Sequence, residues 1–238
     1  MEALTGKSAI VTGGTRGIGR AIAERLLREG ASVAICGRSG ESTARAADEL
    51  KALGNAIGCA ADVSDRRQVA TLFDAVDGAF GKLDILVNNA GEAVFRNVGE
   101  MTPEDWHRNI DLNLNGPFYC SREALKRFGP RGGFIVNISS LAAKNAFPGG
   151  AAYNASKAGL NLFGEAMMLD HRYDNVRVTS IMPGSVDTEF SPRPGKREGD
   201  TSWMIAPEDI AEAVVLVLRM PQRTTISRIE IRPTRPKK

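Results

Sequence analysis

Ser8-Ala-Ile-Val-Thr12, Gly13-Gly-Thr-Arg-Gly-Ile-Gly19 and Arg20-Ala-Ile-Ala-Glu-Arg-Leu-Leu-Arg28 follow one another without a gap. The first block is a short apolar run rich in β-branched residues, the pattern of a buried strand. The third sets Ile22, Leu26 and Leu27 at helical spacing, and Gly30 stops it. Between them, glycines at 13, 17 and 19 permit a tight turn and a close approach of backbone to an anion. The following helix aims free N–H groups and a partial positive charge at the same point. Strand, glycine turn and helix in this order form the phosphate-binding opening of a dinucleotide fold. A strand–helix turn that binds nothing has the same pattern. A P-loop is disfavoured, because no Gly-Lys-Ser/Thr follows the glycines.

Outward from this opening the same alternation continues. Residues 32–36, 56–60, 84–88, 133–139, 176–182 and 226–231 read as strands, the second of these the weakest. Helical period covers 18–28, 41–53, 65–80 and 151–171. Thr102-Pro-Glu-Asp is a helix start with an N-cap threonine, and two helices broken near Gly116-Pro117 should fill the segment to Phe128. Ala206-Pro-Glu-Asp opens a helix to about Met220. Strands separated by helices imply a three-layer, doubly wound parallel α/β sheet of about seven strands, a single domain over 1–238. The least regular stretch, 185–205, carries Pro192, Pro194, Gly195 and Gly199 among mixed charges and reads as a loop forming a substrate lid.

Composition narrows the class. At 238 residues, with 42% hydrophobic and 25% charged residues, the chain is an ordinary soluble globular protein. A net charge of +3 is slight, and the basic tail 232–238 reads as a solvated terminus rather than a nucleic-acid arm. Cys36, Cys59 and Cys120 are widely spaced and read as buried thiols in a reducing compartment. His107 and His171 begin no metal-ligand motif, so no metal is expected. No stretch has the length or apolarity of a membrane span, no signal peptide precedes the first strand, and a cytoplasmic protein is expected.

Two further places carry chemistry. At the end of the second strand, Cys36-Gly37-Arg38-Ser39 lacks the carboxylate that would bind an adenosine ribose and repel a 2′-phosphate. Arg38, with Arg16 from the glycine turn, instead offers charge-assisted bonds to that phosphate, which favours NADP(H) over NAD(H). Tyr153-Asn-Ala-Ser-Lys157 puts a phenol and an ammonium on one helical face. A neighbouring cation can lower a phenol's pKa by about 1–3 units. Ser139-Ser140 ends a strand thirteen residues before Tyr153, at the crevice where open parallel sheets bind ligands. Asn88-Asn89-Ala90-Gly91 and Asn113-Leu-Asn-Gly116 add side-chain amides that need partners.

The ordered set Thr12-Gly-x-x-x-Gly-x-Gly19, Asn88-Asn-Ala-Gly91, Asn113-x-x-Gly116, Ser139-Ser140, Tyr153-x-x-x-Lys157 and Pro183-Gly184-x-x-x-Thr188 resembles the single-domain short-chain dehydrogenase/reductase family over nearly the whole chain. The resemblance implies that Gly13, Thr15, Arg16, Gly17, Ile18 and Gly19 form the cofactor loop, with Arg38 and Ser39 near the adenosine ribose. Asp62 and Val63 would contact adenine, and Asn89, Ala90 and Gly91 would line the cofactor cleft. The backbone at Pro183, Gly184 and Val186 and the Thr188 hydroxyl would orient nicotinamide and pyrophosphate. Tyr153 would be the acid/base, and Lys157 would lower its pKa and hold the nicotinamide ribose. Ser140, with Ser139 ranked second, would bond the substrate oxygen, and Asn113 would hold a water on a proton path. The implied reaction is hydride exchange between NADP(H) and a carbonyl or secondary-alcohol carbon.

The substrate is a small carbonyl or alcohol that the sequence leaves unspecified. The lid charges Arg193, Lys196, Arg197, Glu189, Glu198 and Asp200 fit a polar or anionic substrate or plain solvation. A 3-oxoacyl-(acyl-carrier-protein) reductase is the alternative: Arg131 falls at one position where those enzymes place a basic residue, but Asp174 occupies the second, and the ending Glu230-Ile-Arg-Pro-Thr-Arg-Pro departs from theirs. A non-catalytic NADP(H) sensor is a third reading. The resemblance also implies a homotetramer, or a homodimer, through the helices near 115–128 and 151–171 and the last helix and strand.

Overall fold

The structure is a computed structural model and describes residues 3–190 and 200–236. Seven strands form one parallel sheet: β1 (Ser8–Thr12), β2 (Ser32–Gly37), β3 (Ala56–Ala60), β4 (Ile85–Asn88), β5 (Gly133–Ile138), β6 (Val176–Pro183) and β7 (Arg228–Ile231), in the order β3-β2-β1-β4-β5-β6-β7. The chain steps outward from β1 to β3, then returns to add β4 on the other side of β1. That reversal opens a crevice at the carboxyl ends of β1 and β4, the place where such sheets bind ligands.

Side chains alternate across the pleat, so each strand feeds two cores. Ala9, Val11, Val33 and Ile35 face one layer of helices, α1 (Gly17–Arg28), α2 (Gly40–Leu50) and α7 (Pro207–Leu218), and pack with Ile22, Leu26, Leu50 and Val214. Ile10, Ala34 and Cys36 face the other layer, α3 (Arg66–Phe80), α5 (Gly116–Phe128) and α6 (Ala151–His171), and pack with Leu72, Phe73, Phe128 and Met167. The expected three-layer architecture is therefore present. Of the thiols, Cys36 and Cys120 are buried, whereas Cys59 is only half-buried because β3 is the sheet's edge.

Several boundaries differ from the sequence pattern: β7 starts at Arg228 rather than 226, and α7 ends at Leu218 rather than near Met220. α2 ends at Leu50 and residues 51–53 make a turn, so the helix is shorter than 41–53. The expected break near Gly116-Pro117 is absent. Instead α4 (Pro103–Ile110) runs through a π-helical turn, Asp111–Asn115, directly into α5. The Gly116 N–H bonds the Asp111 carbonyl, five residues back, and this wider turn accommodates the proline's missing donor and its ring.

Among the described residues no helix is long and apolar enough to cross a membrane, and no cluster of three His, Cys, Asp or Glu could hold a metal ion.

Candidate active site

A cavity of about 740 Å³ lies over the carboxyl ends of β1 and β4. Its floor is the glycine turn. Gly13 has φ 65°, and a Cβ there would come within 2.9 Å of the Ala90 Cα. A Cβ on Gly19 would sit 2.3 Å from the Gly13 carbonyl oxygen. Only glycine lets the turn close on itself and on the loop after β4. That loop is bolted to β1: the Thr12 hydroxyl oxygen accepts the N–H groups of Asn89 and Ala90 at 3.0 Å. The Asn89 amide in turn donates to the carbonyls of Thr12 and Gly13 at 2.9 and 3.1 Å. Asn89 thus lines the cleft while holding the turn's shape.

α1 starts at this floor with no side-chain cap and no acidic residue in its first turn. By contrast α2, α3 and α4 are capped by Ser39, Asp65 and Thr102. The uncapped N–H groups of α1 suit an anion as their partner. Thr15, Arg16, Gly17, Ile18, Arg38, Asp62, Val63, Ala90 and Gly91 all line the same cleft, as do Pro183, Gly184, Val186 and Thr188. Ser39 does not; its hydroxyl oxygen accepts the Ser42 N–H and serves α2. Arg38 is exposed, 3.8 Å from a Glu92 carboxylate oxygen, and Arg16 pairs with Glu189 at 2.9 Å. Both guanidiniums stand at the cleft edge, and the ion pairs that hold them among the described residues are exposed on the arginine side and worth little.

Tyr153 and Lys157 sit on one face of α6, both buried, at the end of β5. Lys157 Nζ donates to the Ile138 carbonyl at 2.9 Å and lies 5.8 Å from the centre of the Tyr153 ring. The Ser140 hydroxyl bonds the Tyr153 phenol and also accepts the Ala142 N–H at 3.1 Å. The Ser139 hydroxyl donates to the Lys157 carbonyl at 3.3 Å.

The electrostatics depart from the sequence expectation. Burial pushes the Tyr153 phenol up to about 12, and the Ser140 hydrogen bond offsets only part of that. Burial also pulls Lys157 down to about 8. The lysine's charge is itself disfavoured in the dry site, and its Nζ donates to the β5 carbonyl of Ile138.

Asn113 sits beside the site. It is fully buried in the π turn and does not line the cleft. Its amide donates to the Glu92 carbonyl at 2.8 Å and the Ser156 hydroxyl at 3.1 Å, and its oxygen accepts the Glu92 N–H at 3.0 Å. The side chain fastens the loop after β4 to α6.

Sequence reading missed two walls, Phe95 and Phe147, which line the cleft from loops with no periodic signal; Trp203 and Met204, from the expected lid stretch, line it as well. Arg232, Pro233 and Pro236 of the tail line it too, so this segment is packed against the site rather than simply solvated. Of the expected lid, residues 191–199, which include Arg193, Lys196 and Arg197, lie outside the described residues. Its two ends meet in a neck where the Asp187 N–H bonds the Ile205 carbonyl and the Ile205 N–H bonds the Ser185 carbonyl, at 2.9 and 3.0 Å.

The family model for short chain dehydrogenases matches residues 7–198. The chain is 40% identical over 191 residues to a 3beta-hydroxysteroid dehydrogenase of Mediterraneibacter gnavus, covering 79% of this chain and 68% of that protein. Among solved structures it resembles an alcohol dehydrogenase of the archaeon Thermococcus sibiricus complexed with 5-hydroxy-NADP, at TM-score 0.88 and 29% identity over 98% of this chain and 99% of the other. A blue fluorescent protein from a metagenomic library, in complex with NADPH, matches at TM-score 0.87 and 31% identity over 98% of each chain.

Proposed function

The chain belongs to the short-chain dehydrogenase family, and from that premise we propose that it is an NADP(H)-dependent oxidoreductase interconverting a carbonyl and a secondary alcohol, with Tyr153 as the acid/base. The observation that carries the reading is the meeting of the Tyr153 phenol, the Ser140 hydroxyl and the Lys157 amine at one cleft with the uncapped glycine turn. Two solved relatives in complex with NADPH or an NADP derivative, and two named for alcohol or hydroxysteroid oxidation, support the cofactor and the reaction class.

The residues present fit a phosphorylated dinucleotide. Gly13, Gly17 and Gly19 leave the floor open, and the free N–H groups of α1 would hold the pyrophosphate. Arg16 and Arg38 would hold the 2′-phosphate, at a strand end with no carboxylate to repel it. Asp62 and Val63 would bracket the adenine, Lys157 the nicotinamide ribose, and Pro183, Gly184, Val186 and Thr188 the nicotinamide end. When bound, the nicotinamide supplies the hydride in reduction and accepts it in oxidation.

The chain's own part is proton management and position. At neutral pH the Tyr153 phenol keeps its proton, which is the form that donates to a carbonyl oxygen during reduction. Ser140 would bond the same oxygen as negative charge develops on it. Lys157, in direct line with the carbonyl of Ile138, supplies the positive charge that the dry pocket otherwise lacks when the phenolate forms. Oxidation is harder, because burial opposes the phenolate, so the reaction with alcohol should accelerate towards alkaline pH.

The test is NADPH oxidation with a panel of ketones, diketones and 3-oxoesters. Tyr153→Phe should lower kcat by about 10²–10⁴-fold while leaving the NADPH Kd nearly unchanged. Near-normal turnover in that variant would place the proton donor elsewhere, and equal affinity for NADPH and NADH would remove the roles given to Arg16 and Arg38. The remaining readings accompany this one: a single domain over 1–238, a lid over 185–205, a cytoplasmic protein, and assembly into a homotetramer.

A further inference from the structure

We propose that Arg108 sharpens the chain's preference for the phosphorylated cofactor without touching it, by holding the Glu92 carboxylate so that the Arg38 guanidinium stays available to the 2′-phosphate. Arg108 and Glu92 are then positioning residues that act through Arg38. This deepens the NADP(H) reading and rests on its assignment of Arg38 to that phosphate.

The end of β2 carries no carboxylate, but the fold brings one there from the loop after β4: a Glu92 oxygen lies 3.8 Å from Arg38 Nη2. Arg38 lines the cleft, whereas Glu92 and Arg108 do not. Among the described residues Arg38 makes no hydrogen bond, and its ion pair with Glu92 is longer than one. Arg16 differs, being bonded to Glu189 at 2.9 Å.

Glu92 is fixed at its backbone. Its N–H donates to Asn113 Oδ1 at 3.0 Å, and its C=O accepts from Asn113 Nδ2 at 2.8 Å. Its side chain is 20% exposed and meets a fork from α4: Arg108 Nε donates to one carboxylate oxygen at 3.0 Å and Nη2 to the other at 3.3 Å. Two charge-assisted bonds engage both oxygens, the strong geometry for such a pair. Cation, anion and cation in a row leave one net positive charge, and it falls on the arginine in the cleft. Without Arg108 the carboxylate would have Arg38 as its remaining partner. It would then draw that guanidinium away from the phosphate.

The experiment titrates the full chain with NADPH and with NADH at low salt, where exposed charges are least screened. The proteins are the wild type, Arg108→Gln, Glu92→Gln and the double variant. Arg108→Gln should weaken NADPH about two- to fivefold, the size expected of exposed pairs, and leave NADH unchanged. Adding Glu92→Gln should restore NADPH to the wild-type affinity or better, and Glu92→Gln alone should not weaken it. Arg108 is exposed, so its replacement leaves the core intact, and NADH affinity reports folding of each variant. A loss that persists in the double variant would make Arg108 a direct phosphate ligand, and an equal loss for both cofactors would make the fork structural. Either result, or an NADPH affinity unmoved by Arg108→Gln, would overturn this proposal and leave Arg38 at the phosphate. A wild type that binds NADPH and NADH equally would overturn both.

Discussion

At the scale of single residues the site is governed by desolvation more than by the charge pair that the Tyr153/Lys157 spacing suggests. Lys157 is 4% exposed and its amine falls from 10.5 to about 8, solely through burial. A lysine lowered in the folded state destabilises wherever it must carry its charge. The unfolded chain binds more protons between about pH 8 and 10.5, so this residue's contribution to stability rises with pH across that window and is lost as pH falls to 8. Tyr153 runs the other way: its raised pKa stabilises below pH 10 and that gain disappears between 10 and about 12. Below pH 8, therefore, Lys157→Met should be more stable than the wild type although catalytically crippled. From pH 8 to 10 its advantage should shrink by about 1–2 kcal/mol, at no more than about 1.4 kcal/mol per pH unit. Urea unfolding of the two proteins at pH 8, 9 and 10 checks this, and a constant difference would mean that the amine titrates normally.

Among elements, the π turn Asp111–Asn115 decides most. It turns Asn113 inward, where one amide ties the chain after β4 to the face of α6 that bears Tyr153. Asn113→Ala would leave the Glu92 N–H and C=O and the Ser156 hydroxyl short of partners, at a cost of about 1–3 kcal/mol. We expect a lowered Tm together with a reduced kcat, and Asn113→Asp should rescue neither, since a buried carboxylate oxygen would face the Glu92 carbonyl to which the amide donates. An Ala variant with normal Tm would mean that the loop is held by other contacts. The sequence showed this asparagine as an amide needing a partner inside a helix, which was sound. It could not show the partners, because Glu92 and Ser156 lie 21 and 43 residues away. The capped starts of α3 and α4 were legible for the opposite reason: Asp65 and Thr102 bond N–H groups two and three residues on.

For the whole molecule, the two helices flanking the cleft's rear leave apolar surface uncovered. Phe118 on α5 is 46% exposed, and Leu162 and Leu169 on α6 are 68% and 51% exposed. Phe118 stacks edge-on against Phe163 of α6, which joins the two helices into one apolar face. We propose this face as a contact between copies of the chain in the homotetramer. Light scattering should report a mass of four chains, and Phe118→Glu should yield a smaller species; a wild-type monomer would end the assembly proposal without touching the chemistry. The parallel sheet, the glycine turn behind β1 and the shared face of Tyr153 and Lys157 were all determined by the sequence alone, because strand alternation, helical period and glycine's freedom act over a few neighbouring residues. Only the tertiary structure decided that burial raises the Tyr153 phenol, that the Asn113 amide fastens the loop after β4 to α6, and that Phe95, Phe147, Phe190 and the tail share one cleft. Desolvation depends on how tightly β5 and α6 close around a group, and loops distant in sequence meet only when the sheet brings their ends together.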